Sequence, residues 1–128
     1  MKATVITLLS ICTLIFTGCI TPVAIDPQTG QEQLAEYRVG SFYAPVNAPI
    51  GKIFKTAIRE MDELGYYRTG ELHEPTEITI YARKVGDEKV TVRIKQLAEG
   101  QSQIGIRVGR LGDLAESQVL YARIRNAL

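Results

Sequence analysis

Tryptophan is absent from these 128 residues, histidine occurs once and cysteine twice. Each scarcity excludes something. With His73 the lone imidazole, no spacing in the chain matches a zinc site or a histidine-activated nucleophile, and no nucleophile-elbow pattern surrounds any serine. No cofactor motif occurs either. Cys12 lies in an apolar run and Cys19 directly behind it, so a domain built from the rest holds no disulfide and depends on its core alone. Charge of one sign is also lacking. There are 15 basic and 14 acidic residues, and the balance excludes the net basic footprint that nucleic acid requires. The long apolar run, Ala3 to Phe16, stops short of the roughly 20 residues needed to cross a bilayer.

What is present begins with an address. Lys2 supplies a positive start, Ala3 to Phe16 an apolar centre, and Thr17-Gly18 small residues before a cysteine. Those are the three parts of an export signal. The segment Ile15-Phe16-Thr17-Gly18-Cys19 resembles the lipobox of bacterial lipoproteins, with Phe16 where leucine is usual. That resemblance implies cleavage after Gly18 and acylation of Cys19 by a diacylglycerol and a further chain such as palmitate. Two or more chains anchor stably at about 0.8 kcal/mol per buried CH₂, whereas one binds only reversibly. Ile20 follows the cysteine, where an aspartate would resemble an inner-membrane retention signal, and this favours the outer membrane. An ordinary secreted protein and an uncleaved signal anchor are the competing readings of the same residues.

Three segments result: a signal over 1–18, a lipidated cysteine and flexible tether over 19–35, and a globular domain over 36–128. The tether is short of apolar periodicity, and Asp26-Pro27-Gln28-Thr29-Gly30 has turn chemistry. A strand is expected from Glu36 to Tyr43, interrupted in its alternation by Gly40. Next, Ile50, Ile53, Phe54, Ala57, Ile58, Met61 and Leu64 recur at steps of three and four, the mark of an amphipathic helix. Asn47 is its expected N-cap, Pro49 belongs to the first turn, and Gly65 ends it. Lys52, Lys55, Arg59, Glu60, Asp62 and Glu63 form the expected solvated face.

Four alternating stretches follow: 66–73, 77–85, 89–97 and 103–110. Their inward sets are Ile78, Ile80 and Ala82, then Val90, Val92 and Ile94, then Ile104, Ile106 and Val108. Gly86-Asp87 signals a tight hairpin and residues 98–101 a somewhat longer one. A terminal helix over 113–128 is capped by Asp113 with Glu116, and Leu114, Leu120, Tyr121, Ile124 and Leu128 are able to face the sheet. The order β-α-β-β-β-β-α predicts an α+β two-layer sandwich, an antiparallel sheet of about five strands with two helices on one face.

The phrase Ile106-Arg107-Val108-Gly109-Arg110-Leu111-Gly112-Asp113, taken with Leu64-Gly65-Tyr66, resembles a bacterial lipoprotein family known only as domain of unknown function 3568. The resemblance covers the whole mature domain. It implies this fold and this address, and no activity.

Candidate sites are few. His73 reads as a solvated loop residue. The loop Gly109 to Asp113 reads as a structural turn rather than an anion cradle, because Asp113 satisfies the free N–H groups and repels a phosphate. One surface has character: the sheet face opposite the core, where Thr79, Tyr81, Arg83, Thr91, Arg93, Lys95, Gln103 and Arg107 share a side. Tyr81, Arg83, Arg93, Lys95 and Arg107 are its candidate binding residues, for an envelope protein, a lipid headgroup or a glycan. The expectation is a membrane-tethered, non-enzymatic interaction or structural module of the bacterial envelope. An accessory enzyme or small-ligand carrier is the alternative, and polar groups converging around His73, Tyr66 or Arg68 would favour it.

Overall fold

The computed structural model describes residues 22–24 and 32–128 of the chain. The signal, Cys19 and the turn residues 26–30 lie outside the described residues. Within the stretch read as a tether, β1 (Pro22–Ala24) and β2 (Glu32–Leu34) pair antiparallel as a small ladder of their own.

Six strands make the main sheet: β3 (Glu36–Arg38), β4 (Ser41–Val46), β5 (Tyr67–His73), β6 (Glu77–Lys84), β7 (Glu88–Ala98) and β8 (Gln101–Val108). Their order is β3-β4-β8-β7-β6-β5, all neighbours antiparallel. Helix α1 (Ile50–Glu63) carries the chain from β4 to the far edge at β5, and a meander returns it to β4 through β8. Helix α2 (Leu114–Asn126) then packs on β4 and β8, while α1 covers β5 to β7. This is the expected two-layer α+β sandwich. The sheet has six strands because the single strand expected over 36–43 is a hairpin. Gly40, which broke the alternation, is the second residue of a two-residue turn that joins Arg38 to its partner Ser41.

All nine expected inward residues of β6, β7 and β8 are buried, with Phe42, Ala44 and Val46 of β4 beside them. Each large aliphatic side chain there contributes roughly 1.5–3 kcal/mol by leaving water. Ile53, Ala57 and Met61 close the core from α1, and Ile50, Phe54, Ile58 and Leu64 pack around them. From α2 come Leu120, Tyr121 and Ile124, with the Tyr121 ring 5.3 Å from that of Phe42. Leu114 is exposed, contrary to expectation, since it opens α2 at the rim of the sheet. Ser117 takes the buried place one turn on, where its hydroxyl donates to the Asp113 carbonyl at 2.6 Å.

The helix ends follow local chemistry with two corrections. Pro49, not Asn47, is the N-cap of α1, with no side-chain cap bond; its carbonyl accepts from Lys52 and Ile53 at 3.1 and 3.2 Å. At the other end Gly65, with φ of 78°, donates to Asp62, and Tyr66 donates to Met61 at 2.9 Å. This is a Schellman closure, and the positive φ explains the glycine. The second correction concerns Glu60, expected on the solvated face but buried, because α2 lies along that flank. Arg123 of α2 reaches both Glu60 and Glu63 at 3.3 Å. Asp113 caps α2 as expected, accepting from the Glu116 N–H at 3.0 Å.

Candidate functional site

Strand alternation puts one set of side chains in the core and the next on the face without helices. On that outer face Tyr81 stands opposite Thr91, which stands opposite Arg107; Thr79, Arg93 and Gly105 form the next row, and Glu77, Lys95 and Gln103 a third. Arg83 pairs with Lys89 at one end. The eight outward residues of the sequence reading therefore share a side. Glu77 and Lys89 also stand there, and so do two residues from the other edge of the sheet. Tyr43 of β4 pairs with Gly105 and its ring covers it: a side chain added at Gly105 would lie 2.9 Å from that ring. Arg38 of β3 stacks over the same ring at 4.9 Å, a cation–π contact. Nothing local in the sequence announces this, because β4 and β8 lie far apart in the chain.

Ion pairs shape the face as much as the cations do. Arg93 contacts Glu77 at 3.2 Å, Arg38 contacts Glu36 at 3.6 Å, and Arg83 contacts Asp87 at 3.0 Å. Arg107 is committed to structure. Its guanidinium donates to the Val39 carbonyl at 2.6 Å and to the Arg110 carbonyl, tying the β3–β4 turn to the loop after β8. Among the described residues Lys95 alone of the four candidate cations has no such partner. The surface is a shallow, largely neutralised sheet with hollows of about 280 and 200 Å³ against Tyr43.

The residues around His73 do come together. Arg68, Glu71 and His73 sit on the helix side of β5, opposite Ala82, Ile80 and Ile78. Arg68 donates to Asp62 at 2.9 Å and to Glu71 at 3.3 Å, and Glu71 contacts His73 Nε2 at 2.9 Å. Bonding to Asp62, the largest influence, raises the Arg68 pKa further above its ordinary value. The His73 ring meets Phe54 edge-on at 4.9 Å. An open groove of about 600 Å³ lies beside Arg68 and Glu71. These groups bond mainly to one another and brace the edge strand on α1.

Tyr66 borders the same groove, but its hydroxyl donates away from it, to Glu116 at 3.4 Å. Burial first, and then the Glu116 charge, push its phenol pKa up. Lys84 lies 3.2 Å from both Glu88 and Glu116. Burial opposes its charge, but the hydrogen bonds to the two carboxylates prevail and raise its pKa. Among the described residues no three His, Cys, Asp or Glu side chains are grouped to hold a metal ion.

Fold and surface thus define a small α+β domain with a buried apolar core and an open antiparallel sheet. The chain matches the family described as Protein of unknown function (DUF3568) over residues 2–127, and it belongs to that family. No curated protein matches it.

Proposed function

We propose that the chain is a bacterial envelope lipoprotein, exported by residues 1–18, acylated at Cys19 and held by the lipid at the outer membrane, facing the periplasm. Its domain serves there as a non-enzymatic interaction or structural module. The observation that carries the reading is the apolar run Ala3 to Phe16 with Thr17-Gly18-Cys19 directly behind it. No helix among the described residues is long and apolar enough to cross a membrane, which supports leaving the anchor to that N-terminal segment. The module reading is supported by polar groups that bond to one another instead of converging on an enclosed cavity.

Intact mass and membrane fractionation of the protein beside Cys19→Ala test the anchor. A species beginning at Cys19 with added acyl mass, lost in the variant, is expected. An unmodified soluble protein would overturn the reading. For the module, reversing Arg93 and Lys95 together should reduce recovery of cross-linked envelope partners, and unchanged recovery would remove the outer face from consideration. The carrier alternative draws on the groove beside Arg68 and Glu71; a small ligand bound there would perturb the NMR signals of those residues first.

A further inference from the structure

The topology brings three loops to one end of the sheet: the β3–β4 turn, the β6–β7 turn and the loop from β8 to α2. Each carries an apolar residue at its tip. Val39 is 86% exposed, Val85 94% and Leu111 87%, the three most exposed large apolar side chains of the described residues. A single exposed valine or leucine needs no explanation, but three at one end do.

Two of the three loops touch, and the third faces them across a groove. Arg107 bonds the carbonyls of Val39 and Arg110 together. Gly40 and Gly112 approach so closely that neither has room for a side chain. Val85 in turn borders a groove of about 880 Å³ whose other walls include Lys89, Arg107, Arg110 and Asp87, the last paired with Arg83 at 3.0 Å. Among the described residues Lys89 and Arg110 have no ion-pair partner, while the carboxylate of neighbouring Glu88 is engaged by Lys84. Apolar points therefore alternate with free cations on a braced frame.

Turn chemistry makes Val39 the most telling of the three. Val39 and Gly40 both have positive φ, 51° and 78°, as a type I′ hairpin turn requires. Asn-Gly is favoured there, and a β-branched residue is disfavoured. The fold gains no burial from this valine, so its presence is a local rule broken without an internal return.

We infer that this end of the domain rests on the surface of an anionic phospholipid bilayer, with Val39, Val85 and Leu111 reaching the acyl boundary and Lys89 and Arg110 meeting headgroup phosphates. The chemistry is that of interfacial binding, in which apolar area and attraction to anionic lipid act together. Separate tips divided by a charged groove suit a fluid surface better than a protein interface, whose centre is continuous and depleted of lysine. The site belongs to the domain itself and does not rest on acylation of Cys19.

The chain has no tryptophan, so Leu111→Trp introduces a single reporter at this end. Leu97→Trp does the same near the β7–β8 turn at the opposite end, where Leu97 is already 55% exposed. Each full-length variant is placed in vesicles of phosphatidylcholine, with or without phosphatidylglycerol, whose acyl chains carry bromine near the headgroup. Both variants are compared at equal vesicle-bound fractions, read by co-sedimentation, so depth rather than attachment is measured. The Leu111→Trp reporter should shift to the blue and lose roughly half of its emission to bromine, more strongly with phosphatidylglycerol. The Leu97→Trp reporter should do neither. Adding Lys89→Glu and Arg110→Glu should abolish the quenching while thermal unfolding stays in place, and Val85→Trp gives an independent reporter. Equal quenching of Leu111→Trp and Leu97→Trp, or a blue shift of Leu111→Trp without quenching, which a protein partner would produce, overturns the inference.

Discussion

Replacing Val39 by asparagine should stabilise the domain. A left-handed conformation costs an ordinary L-residue about 1–2 kcal/mol, and asparagine tolerates it by local hydrogen bonding. Little offsets that gain, since the Val39 side chain is 86% exposed and the Arg107 bond is made to its backbone carbonyl, which asparagine keeps. The net effect should be a stabilisation of roughly 0.5–1.5 kcal/mol. For a domain of this size each kcal/mol moves Tm by about 4–8 °C. Calorimetric or urea unfolding of the wild type, Val39→Asn and Val39→Ala would measure it. Alanine keeps a Cβ at positive φ, so Val39→Ala should gain much less. An asparagine variant no more stable than the alanine variant would refute the account of strain at this turn. Loss of vesicle contact in the same, more stable Val39→Asn protein would show that the valine serves the surface and not the fold.

Three further outcomes are expected. Asp113→Ala should destabilise the domain by about 1 kcal/mol in urea unfolding, because the Glu116 N–H loses its acceptor. Gly105→Ala should destabilise the wild type but be nearly neutral beside Tyr43→Ala; a double-mutant cycle with no coupling would mean that the ring does not fill that gap. Stability should also fall as pH rises above about 10. Burial raises the Tyr121 pKa against the lowering influence of Arg125, and burial with the Glu116 charge raises that of Tyr66. A raised folded-state pKa gives stability that is full below the unfolded value and lost through the folded one. Tyr121→Phe should flatten that alkaline decline, as read by unfolding at several pH values.

Residues three and four apart on α1 and two apart on β6 to β8 announced their own elements, because helix and strand periods are properties of the local backbone. The same locality made Gly65, Gly86 and Asp113 legible as a stop, a turn and a cap, and it made the inward residues of three strands readable before any neighbour was known. Gly40 was visible only as a blemish in a strand; that it turns the chain depends on Arg38 finding Ser41. Glu60 reads as solvent-facing on its own helix and is buried only because α2 settles beside it, with Arg123 in reach. Alternation alone populated the outer face, but it left the pairing of its charges open. Which cations are neutralised depends on cross-strand partners such as Glu77 for Arg93, and on the loop carbonyls that hold Arg107. Period and punctuation are written residue by residue, so the sequence alone determined the elements and the layer each would face. Pairing β4 with β8 and gathering three distant loops at one end are choices among non-local contacts, and only the tertiary structure decided them.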